Sequence, residues 1–544
     1  MSINYYFDNL VTDLRMGQNV SAGKKFSCAF VRRTYNRVRV CRERRRPASG
    51  GQAVAGVRRH QPSNRAPVFQ RLKFSAVSKQ YDIQKTMRKV IILGAGQVGS
   101  SVASNLVSED NDITIIDLDA TKLKELADKF DLRTLQGNAG HPSVLLEAGV
   151  QDCELLIAVT EVDEVNMLAC RIAHVLFNVP NRIARIRAIE YLENEQLSDG
   201  TLFDISHVIC PEQVLTDYLL KLVAFPEALQ VVEFAHGRVM LVAIRAREDG
   251  LLVGHPISDL PRHLPNVDAR IVAIFRESSA VRPDGKTIVR TGDEVFFLSE
   301  TGDMRKVMEE LRKMDRPVER VMIAGGSDIG LRLAMALEKK FSVKLIEPDR
   351  ERAKYITSRL EKTLVFNASE SDSELLSEEG IDQIDLFVAA TANDERNIIA
   401  ALLAKRMGAR RVVTLIHQSA YVDLLEDSKI DIVIGLADAT IGTILSQVRR
   451  ADVDQVHSLR RGASEALEVI VHGDRVTSQV VGRKVDEINW PIGAFLGAIV
   501  RDDKVIMAHH DEVIMAEDHL VIFLNDKKII PRVERLLQVS GLFL

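Results

Sequence analysis

Only one tryptophan and five cysteines occur in this chain of 544 residues, and aromatic residues make up just 5% of it. No apolar run approaches the roughly 18 residues that a bilayer-spanning helix requires. The longest runs, in KVIILGAG and LLIAV, are the size of buried strands, so any membrane role has to be peripheral. Cys28, Cys41, Cys153, Cys170 and Cys210 form no CxxC pair and no ligand-like cluster with histidine. That pattern argues against a disulfide scaffold and against a zinc module, and it points to free thiols in a reducing compartment. Metal-ligand spacing, a nucleophile elbow and a Walker motif are all lacking. What is present, 46% hydrophobic and 27% charged residues, is the composition of a globular protein. At this length such a chain divides into about three to four domains.

The net charge of −4 conceals an asymmetry: 18 Lys+Arg stand against 4 Asp+Glu before Met87, and 54 against 72 from there on. Residues 1–86, with VRRTYNRVRVCRERRRP at their centre, carry no sustained helical or strand period. Three readings compete for them. A basic arm attracts nucleic acid or a membrane surface, an Arg-rich and acid-poor leader is a transit peptide, and translated upstream sequence would put the true start at Met87. The last is favoured, because Met87 is followed at once by a first strand and its turn, RKVIILGAG. The acidic body argues against a nucleic-acid partner.

The remainder is duplicated. RKVIILGAGQVG (88–99) returns as ERVMIAGGSDIG (319–330), and TEVDEVN (160–166) returns as TANDERN (391–397), both at an offset of 231. Between these pairs, GNAGHPSVLLEAGV (137–150) parallels NASESDSELLSEEGI (367–381). Each copy alternates Val/Ile/Leu-rich strands with amphipathic helices, which predicts a doubly wound α/β fold with a parallel sheet covered on both faces. After each such unit, short strands separated by Gly/Pro/Asp turns (228–300 and 465–544) predict a small α+β domain.

The first copy carries a dinucleotide fingerprint in context. Gly94-Ala95-Gly96-Gln97-Val98-Gly99 directly follows a strand and opens a helix. Gly94 serves the tight turn, Gly96 the close approach of backbone to a pyrophosphate, and Gly99 the packing of helix on strand. The helix N-terminus offers free N–H groups and the positive end of its dipole to phosphates. Asp117, at the end of the second strand, is placed to accept both ribose hydroxyls and to repel a 2′-phosphate. That favours NAD(H) over NADP(H) and leaves ATP and ADP open, since their ribose has the same diol. Asn138 and Ala139 after the third strand, and Thr160 and Glu161 after the fourth, face the same crevice. Arg185 is either a bidentate phosphate donor or a surface salt-bridge residue. In the second copy, Gly325-Gly326-Ser327-Asp328-Ile329-Gly330 has a serine where the middle glycine belongs and an acid beside the phosphates. Glu347 takes the role of the ribose acid, Thr391 matches Thr160, and Thr414 is expected where the first copy has Arg185. Occupied and vestigial readings of this second site stay open.

Catalysis has weak support. A dehydrogenase needs a proton donor beside the nicotinamide and a substrate domain. His141 is the best candidate donor, but the second copy has no counterpart histidine, and the small domains are short for binding a substrate. His509 and His510 read as surface polar residues. Duplicated nucleotide sites without chemistry point to sensing, in which binding energy biases a conformational equilibrium; an NAD-dependent oxidoreductase acting through His141 is the alternative.

RKVIILGAGQVG, NDITIIDLD, FDLRTLQGNAGHPSVLLEAG, AVTEVDEVNMLAC and FNVPNRIARIR resemble the TrkA family, NAD-binding regulatory subunits of bacterial Trk potassium uptake systems. The resemblance runs from Met87 to Leu544 and includes the duplication. It implies two RCK modules, each a Rossmann-type domain followed by a small C-terminal domain. The expected division is a basic extension 1–86, Rossmann-type domains 87–212 and 318–438, and small domains with their linkers 213–314 and 439–544. It further implies a non-enzymatic, peripheral protein at the cytoplasmic face of the bacterial inner membrane, partnered with a Trk-type potassium-conducting subunit. Four chains would form a ring of eight modules that gates the pore. Nucleotide contacts carry over to Gly94 through Val98, Asp117, Thr160, Glu161 and Arg185, and in the second copy to Gly325 through Ile329 and Glu347.

Overall fold

The computed structural model describes residues 88–107, 111–194, 201–277, 279–314, 316–425, 428–449, 452–459 and 464–539. The basic extension 1–86, with Cys28 and Cys41, lies outside them. Strands β1 (Arg88–Leu93), β2 (Asn111–Asp117), β3 (Arg133–Gln136), β4 (Leu155–Ala158), β5 (Asn181–Arg185) and β6 (His207–Ile209) form one sheet in the order β3-β2-β1-β4-β5-β6. Every pairing in it is parallel. The second copy repeats this with β12 (Arg320–Ala324), β13 (Ser342–Ile346), β14 (Leu364–Phe366), β15 (Leu386–Ala389), β16 (Arg411–Ile416) and β17 (Ile432–Gly435). This is the doubly wound α/β architecture expected. Its strand order reverses between β1 and β4, which opens a crevice at their carboxyl ends. The sixth strands, His207–Ile209 and Ile432–Gly435, were not anticipated; three or four residues are too few to show a period.

Helices α1 (Gln97–Val107), α2 (Ala120–Lys129), α3 (Pro142–Glu147) and α4 (Asp163–Phe177) connect the first sheet, and α5 (Pro211–Ala224) leaves it. Pro211 at the first turn of α5 suits a position whose N–H has no intrahelical partner. In the second copy the matching helices are α6 (Asp328–Leu337), α7 (Arg350–Arg359), α8 (Ser373–Glu378), α9 (Asp394–Arg406) and α10 (Leu436–Val448). The expected boundary between 438 and 439 falls inside α10, because its apolar residues continue the helix across it.

The small domains are two copies of one antiparallel sheet. In the first, β7 (Ala228–Phe234), β8 (Val239–Arg245), β9 (Ala269–Arg276), β10 (Ser279–Val281) and β11 (Glu294–Glu300) run β7-β8-β11-β9-β10. In the second, β18 (Val453–Leu459), β19 (Ser464–Ile470), β20 (Ala494–Arg501), β21 (Lys504–Met507) and β22 (His519–Leu524) run β18-β19-β22-β20-β21. Each holds the same bidentate clamp. Arg276 donates to both carboxylate oxygens of buried Asp293, and Arg501 does the same to buried Asp518, all four bonds at 2.8 Å.

The two copies exchange partners. Leu215, Leu219 and Leu222 on α5, together with the first small domain, share one apolar core with Val321, Ile323, Ile329 and Leu333 of the second Rossmann-type domain. Ile441, Ile444 and Leu445 on α10, with the second small domain, share another with Val90, Ile92, Val98 and Val102 of the first. A third core joins the two small sheets, Phe234 and Phe296 from one and Val521 and Phe523 from the other. Polar contacts cross the same seams: Arg332 on α6 donates to the carbonyl of Arg187 at 2.8 Å, and Lys527 donates to Asn105 at 3.0 Å. Cys153, Cys170 and Cys210 are free, and burial pushes their thiols up to about 11, about 12 and about 11. At those values the reactive thiolate is scarce near neutral pH.

Candidate nucleotide site

The turn after β1 is built on two close approaches. Gly94 has φ +106° and sits against the end of β4, where an added Cβ would meet the Val159 carbonyl oxygen at 2.9 Å. An added Cβ on Gly99 would lie 1.9 Å from the Gly94 carbonyl oxygen, so α1 can start this close to β1 only with glycine there. Gly96, between them, faces open space, with nothing within 4 Å of an added Cβ. Val98 is buried in the core, so it can offer a ligand only its backbone N–H. Gln97 at the start of α1 is exposed.

Asp117 closes the turn from the end of β2. Its Oδ2 accepts the backbone N–H of Ala95 at 2.6 Å, and its Oδ1 accepts that of Asp119 at 2.8 Å. The carboxylate is half-exposed and keeps lone pairs free for a ribose diol. Asn138 is turned on its own loop, accepting from the Gly140 N–H at 2.9 Å, and Ala139 is buried. Thr160 follows β4, and Glu161 beside it is exposed.

The second crevice has the same frame and a different filling. Glu347 accepts the N–H of Gly326 at 2.7 Å and that of Asp349 at 2.9 Å, as Asp117 does in the first copy. The Ser327 hydroxyl donates to the Ala390 carbonyl at 2.5 Å and accepts the Gly330 N–H at 3.3 Å, so it caps α6 with the chain's own oxygen. Arg352 on α7 donates to the Gly326 carbonyl at 2.7 Å and to the Asp328 carboxylate at 2.8 Å. Gly326 stands where the first copy has Ala95, and it is crowded: an added Cβ would lie 2.2 Å from Ile356. Ile329 is buried like Val98.

The model of the TrkA-N domain matches residues 90–211 and 321–436, and that of the TrkA-C domain matches 241–312 and 474–538. A Trk system potassium uptake protein TrkA of Vibrio alginolyticus is 51% identical over 457 residues, covering 84% of this chain and 100% of that protein. The protein of the same description from Haemophilus influenzae is 45% identical over 457 residues, with the same coverage of both. The chain belongs to the TrkA family. Its fold is also that of the GsuK RCK domain, which superposes with a TM-score of 0.53 at 15% identity over 84% of this chain and 96% of that one. A structure described as the GsuK channel bound to NAD gives 0.53 at 14% identity, over 83% and 80%.

In this TrkA-family chain the shared motif TEVDEVN/TANDERN turns out to be a brace. Asn166 is fully buried. Its side chain accepts from the N–H and hydroxyl of Thr160 at 2.9 and 2.7 Å and donates to the carbonyls of Thr160 and Arg185 at 3.1 and 3.0 Å. Asp163 accepts the N–H groups of Arg187 and Ala188, tying the start of α4 to the chain after β5. Asn397 and Asp394 make the matching bonds around Thr391, Leu415, His417 and Gln418. Neither asparagine was singled out from the sequence, although their place in both copies of the motif was the available signal. Asn166→Ala leaves at least two buried groups without partners, at about 1–3 kcal/mol each. The expected result is a loss of roughly 2 kcal/mol or more of unfolding free energy, read as a lower urea midpoint for the first unfolding transition.

Two expectations change. Thr414 does not stand where Arg185 does: Ala158 pairs with Ala184 in the first sheet and Ala389 with Thr414 in the second, so Thr414 matches Ala184, and Leu415 matches Arg185. The offset between copies falls from 231 to 230 here, because the stretch from the start of α9 to β16 is one residue shorter than that from the start of α4 to β5. Arg185 is also no surface residue. Its Nη2 donates to Glu212 at 3.0 Å, with the side chains 11% and 9% exposed. His141 is the exposed N-cap of α3, and its ring makes no capping bond. Its counterpart is Asp372, which caps α8 through the N–H groups of Glu374 and Leu375. His509 lies at the surface, 3.7 Å from Asp268. His510 is exposed.

Proposed function

We propose that this chain is the nucleotide-binding regulatory subunit of a potassium uptake system, gating a Trk-type membrane subunit without catalysing a reaction. The observation that carries the nucleotide part is the open face at Gly96 between the α1 N-terminus and the Asp117 carboxylate, at the reversal of strand order. When bound, NAD(H) would place its pyrophosphate on the backbone of Gly94, Ala95, Gly96, Gln97 and Val98, and its ribose on Asp117. Asn138, Thr160 and Glu161 would border it. ATP or ADP would use the same cradle. Arg185 would reach a phosphate only by leaving Glu212.

The second crevice, from Gly325, Gly326, Ser327, Asp328 and Ile329 to Glu347 and Thr391, binds nucleotide more weakly. Ser327 satisfies the helix terminus that a phosphate would use, and the Arg352–Asp328 pair lies across the turn. The potassium role is supported by the relatives described as Trk system potassium uptake proteins. The choice of NAD is supported by the GsuK channel bound to NAD. No helix among the described residues is long and apolar enough to cross a membrane. The chain then acts as a peripheral partner at the cytoplasmic face of the inner membrane, as a homotetramer of eight modules in a ring, with no nucleic-acid partner. The exchanged cores make each half depend on the other, so a change at one crevice is transmitted through packed apolar contacts to both small domains.

The test is an NADH fluorescence titration of the full chain, followed over time, with ATP and ADP as competitors. A stable, saturable signal with about one high-affinity site per chain is expected. Asp117→Ala should weaken binding roughly tenfold or more, since a charge-assisted hydrogen bond contributes about 1.5–3 kcal/mol. No binding of any of these nucleotides would sink the sensor reading, and steady consumption of NADH would favour the oxidoreductase.

A further inference from the structure

At the seam between the first crevice and the second module, two buried guanidinium groups stand around one carboxylate. Arg185 ends β5, where Asn166 ties its carbonyl to that of Thr160. The Arg185 and Glu212 side chains are 11% and 9% exposed, and Nη2 of Arg185 donates to the Glu212 carboxylate at 3.0 Å. The Arg185 Nε is buried without a hydrogen-bond partner. Glu212 is the second residue of α5. Arg332 arrives from the other copy, on α6, and is likewise buried. Its guanidinium bonds go to neutral oxygens: the Arg187 carbonyl at 2.8 Å and the side chain of Gln213, the residue after Glu212, at 3.2 Å. Cys210 stands between the two charges. Its thiol donates to Glu212 at 3.7 Å; burial pushes it up to about 11, with Glu212 adding to the rise and Arg332 opposing it. The other charged groups here are engaged. Arg187 has Asp163 at 3.6 Å, and exposed Asp217 accepts from Gln213 at 2.9 Å.

We propose that Arg332 is a positioning residue for the first nucleotide crevice, and that Glu212 is handed from Arg185 to Arg332 when a phosphorylated ligand binds. This rests on the nucleotide reading of that crevice and adds how its filling reaches the second module. Two guanidinium groups for one carboxylate leave the junction one negative charge short, and burial penalises an uncompensated charge. A phosphate in the crevice supplies the missing charge. The Nε and Nη donors of Arg185 form a fork that matches two phosphate oxygens, where Glu212 takes a single bond. Glu212 then needs another cation, and Arg332 is already bonded to the next residue of α5. Arg332 gains by exchanging a neutral oxygen for a carboxylate. The arrangement occurs once. The second copy has Leu415 in place of Arg185, and α1 has Ser101 where α6 has Arg332. The triad is therefore no requirement of the fold, which forms in both copies. Arg332 lies one turn into α6, whose first residue, Asp328, borders the second crevice, so the handover is felt there.

Fluorescence titration of NADH into the full chain tests this with Arg332→Met, Arg332→Lys, Glu212→Gln, and the double variant Glu212→Gln, Arg332→Met. In Arg332→Met the released Glu212 has no cation to go to, and NADH binding should weaken roughly tenfold or more, the worth of one charge-assisted hydrogen bond. Arg332→Lys keeps the charge and should stay within about threefold of the parent. Glu212→Gln removes the competitor for Arg185, so it should bind NADH no more weakly than the parent. Adding Arg332→Met to it should change nothing further. A merely structural Arg332 would weaken binding in both backgrounds, and that result overturns the proposal. So does an equal loss in Arg332→Lys and Arg332→Met, or weaker binding in Glu212→Gln; either comparison decides if the other variant fails to fold. NADH binding by the parent with no effect of Arg332→Met overturns this inference alone, whereas no binding by the parent overturns the sensor reading with it.

Discussion

Gly96→Val should abolish measurable NADH binding while leaving the fold intact. No atom lies within 4 Å of an added Cβ at this position, and its φ is not in the left-handed region, so the protein itself tolerates a side chain there. The space that a valine fills is where a pyrophosphate has to approach the backbone. Losing two charge-assisted hydrogen bonds at about 1.5–3 kcal/mol each, with tenfold in affinity for about every 1.4 kcal/mol, predicts a weakening of at least about a hundredfold. Fluorescence titration reads the affinity, and circular dichroism with a thermal melt reads the fold. If the variant binds NADH as the parent does, the pyrophosphate is not on this turn, and the assignment of Gly94 through Val98 fails with it.

Gly99→Ala is expected to do the opposite, attacking the fold first. The added methyl would lie 1.9 Å from the Gly94 carbonyl oxygen, a backbone atom that cannot swing aside. Alanine favours a helix over glycine by up to about 1 kcal/mol. Forcing atoms into a packed interior typically costs about 1–3 kcal/mol and sometimes more. At a contact this short the clash wins, and a net loss of about 2 kcal/mol follows, with α1 displaced and NADH binding lost as a consequence. The check is the midpoint of the first transition in urea. The matching change Gly330→Ala, 2.1 Å from the Gly325 carbonyl oxygen, should destabilise the second module in the same way without touching the first nucleotide crevice. A stability unchanged in both variants would mean that the helices can slide, and would remove the packing argument for the third glycine.

Much of the site was legible because its requirements are local. A glycine that must take φ +106°, a glycine under a carbonyl, and an acid at the end of the next strand leave their residue types at fixed spacings. The duplication exposed them twice, and the doubly wound parallel sheets followed from the alternation of apolar strands and amphipathic helices. Features resting on a single polar residue in a loop were less legible. Asn166 and Asn397 read as ordinary polar residues, although each holds two chain segments together from a fully buried position. Arg352 sits a full helix and strand away from the glycine turn it covers, and nothing in its own neighbourhood points there. Arg185 could be read as a free donor because its partner Glu212 lies 27 residues on, past the sixth strand that periodicity does not show.

By itself the sequence determined the two Rossmann-type units, the two small antiparallel domains and the nucleotide fingerprint of the first copy, because each depends on patterns within a few tens of residues. Only the tertiary structure decided which small domain packs on which sheet. The apolar faces of α5 and α10 are alike in kind, and hydrophobic burial is non-directional. Either helix could by pattern cover either sheet, and the folded chain seats α5 on the second module and α10 on the first. The contact of Arg332 with the first module exists only because of that exchange.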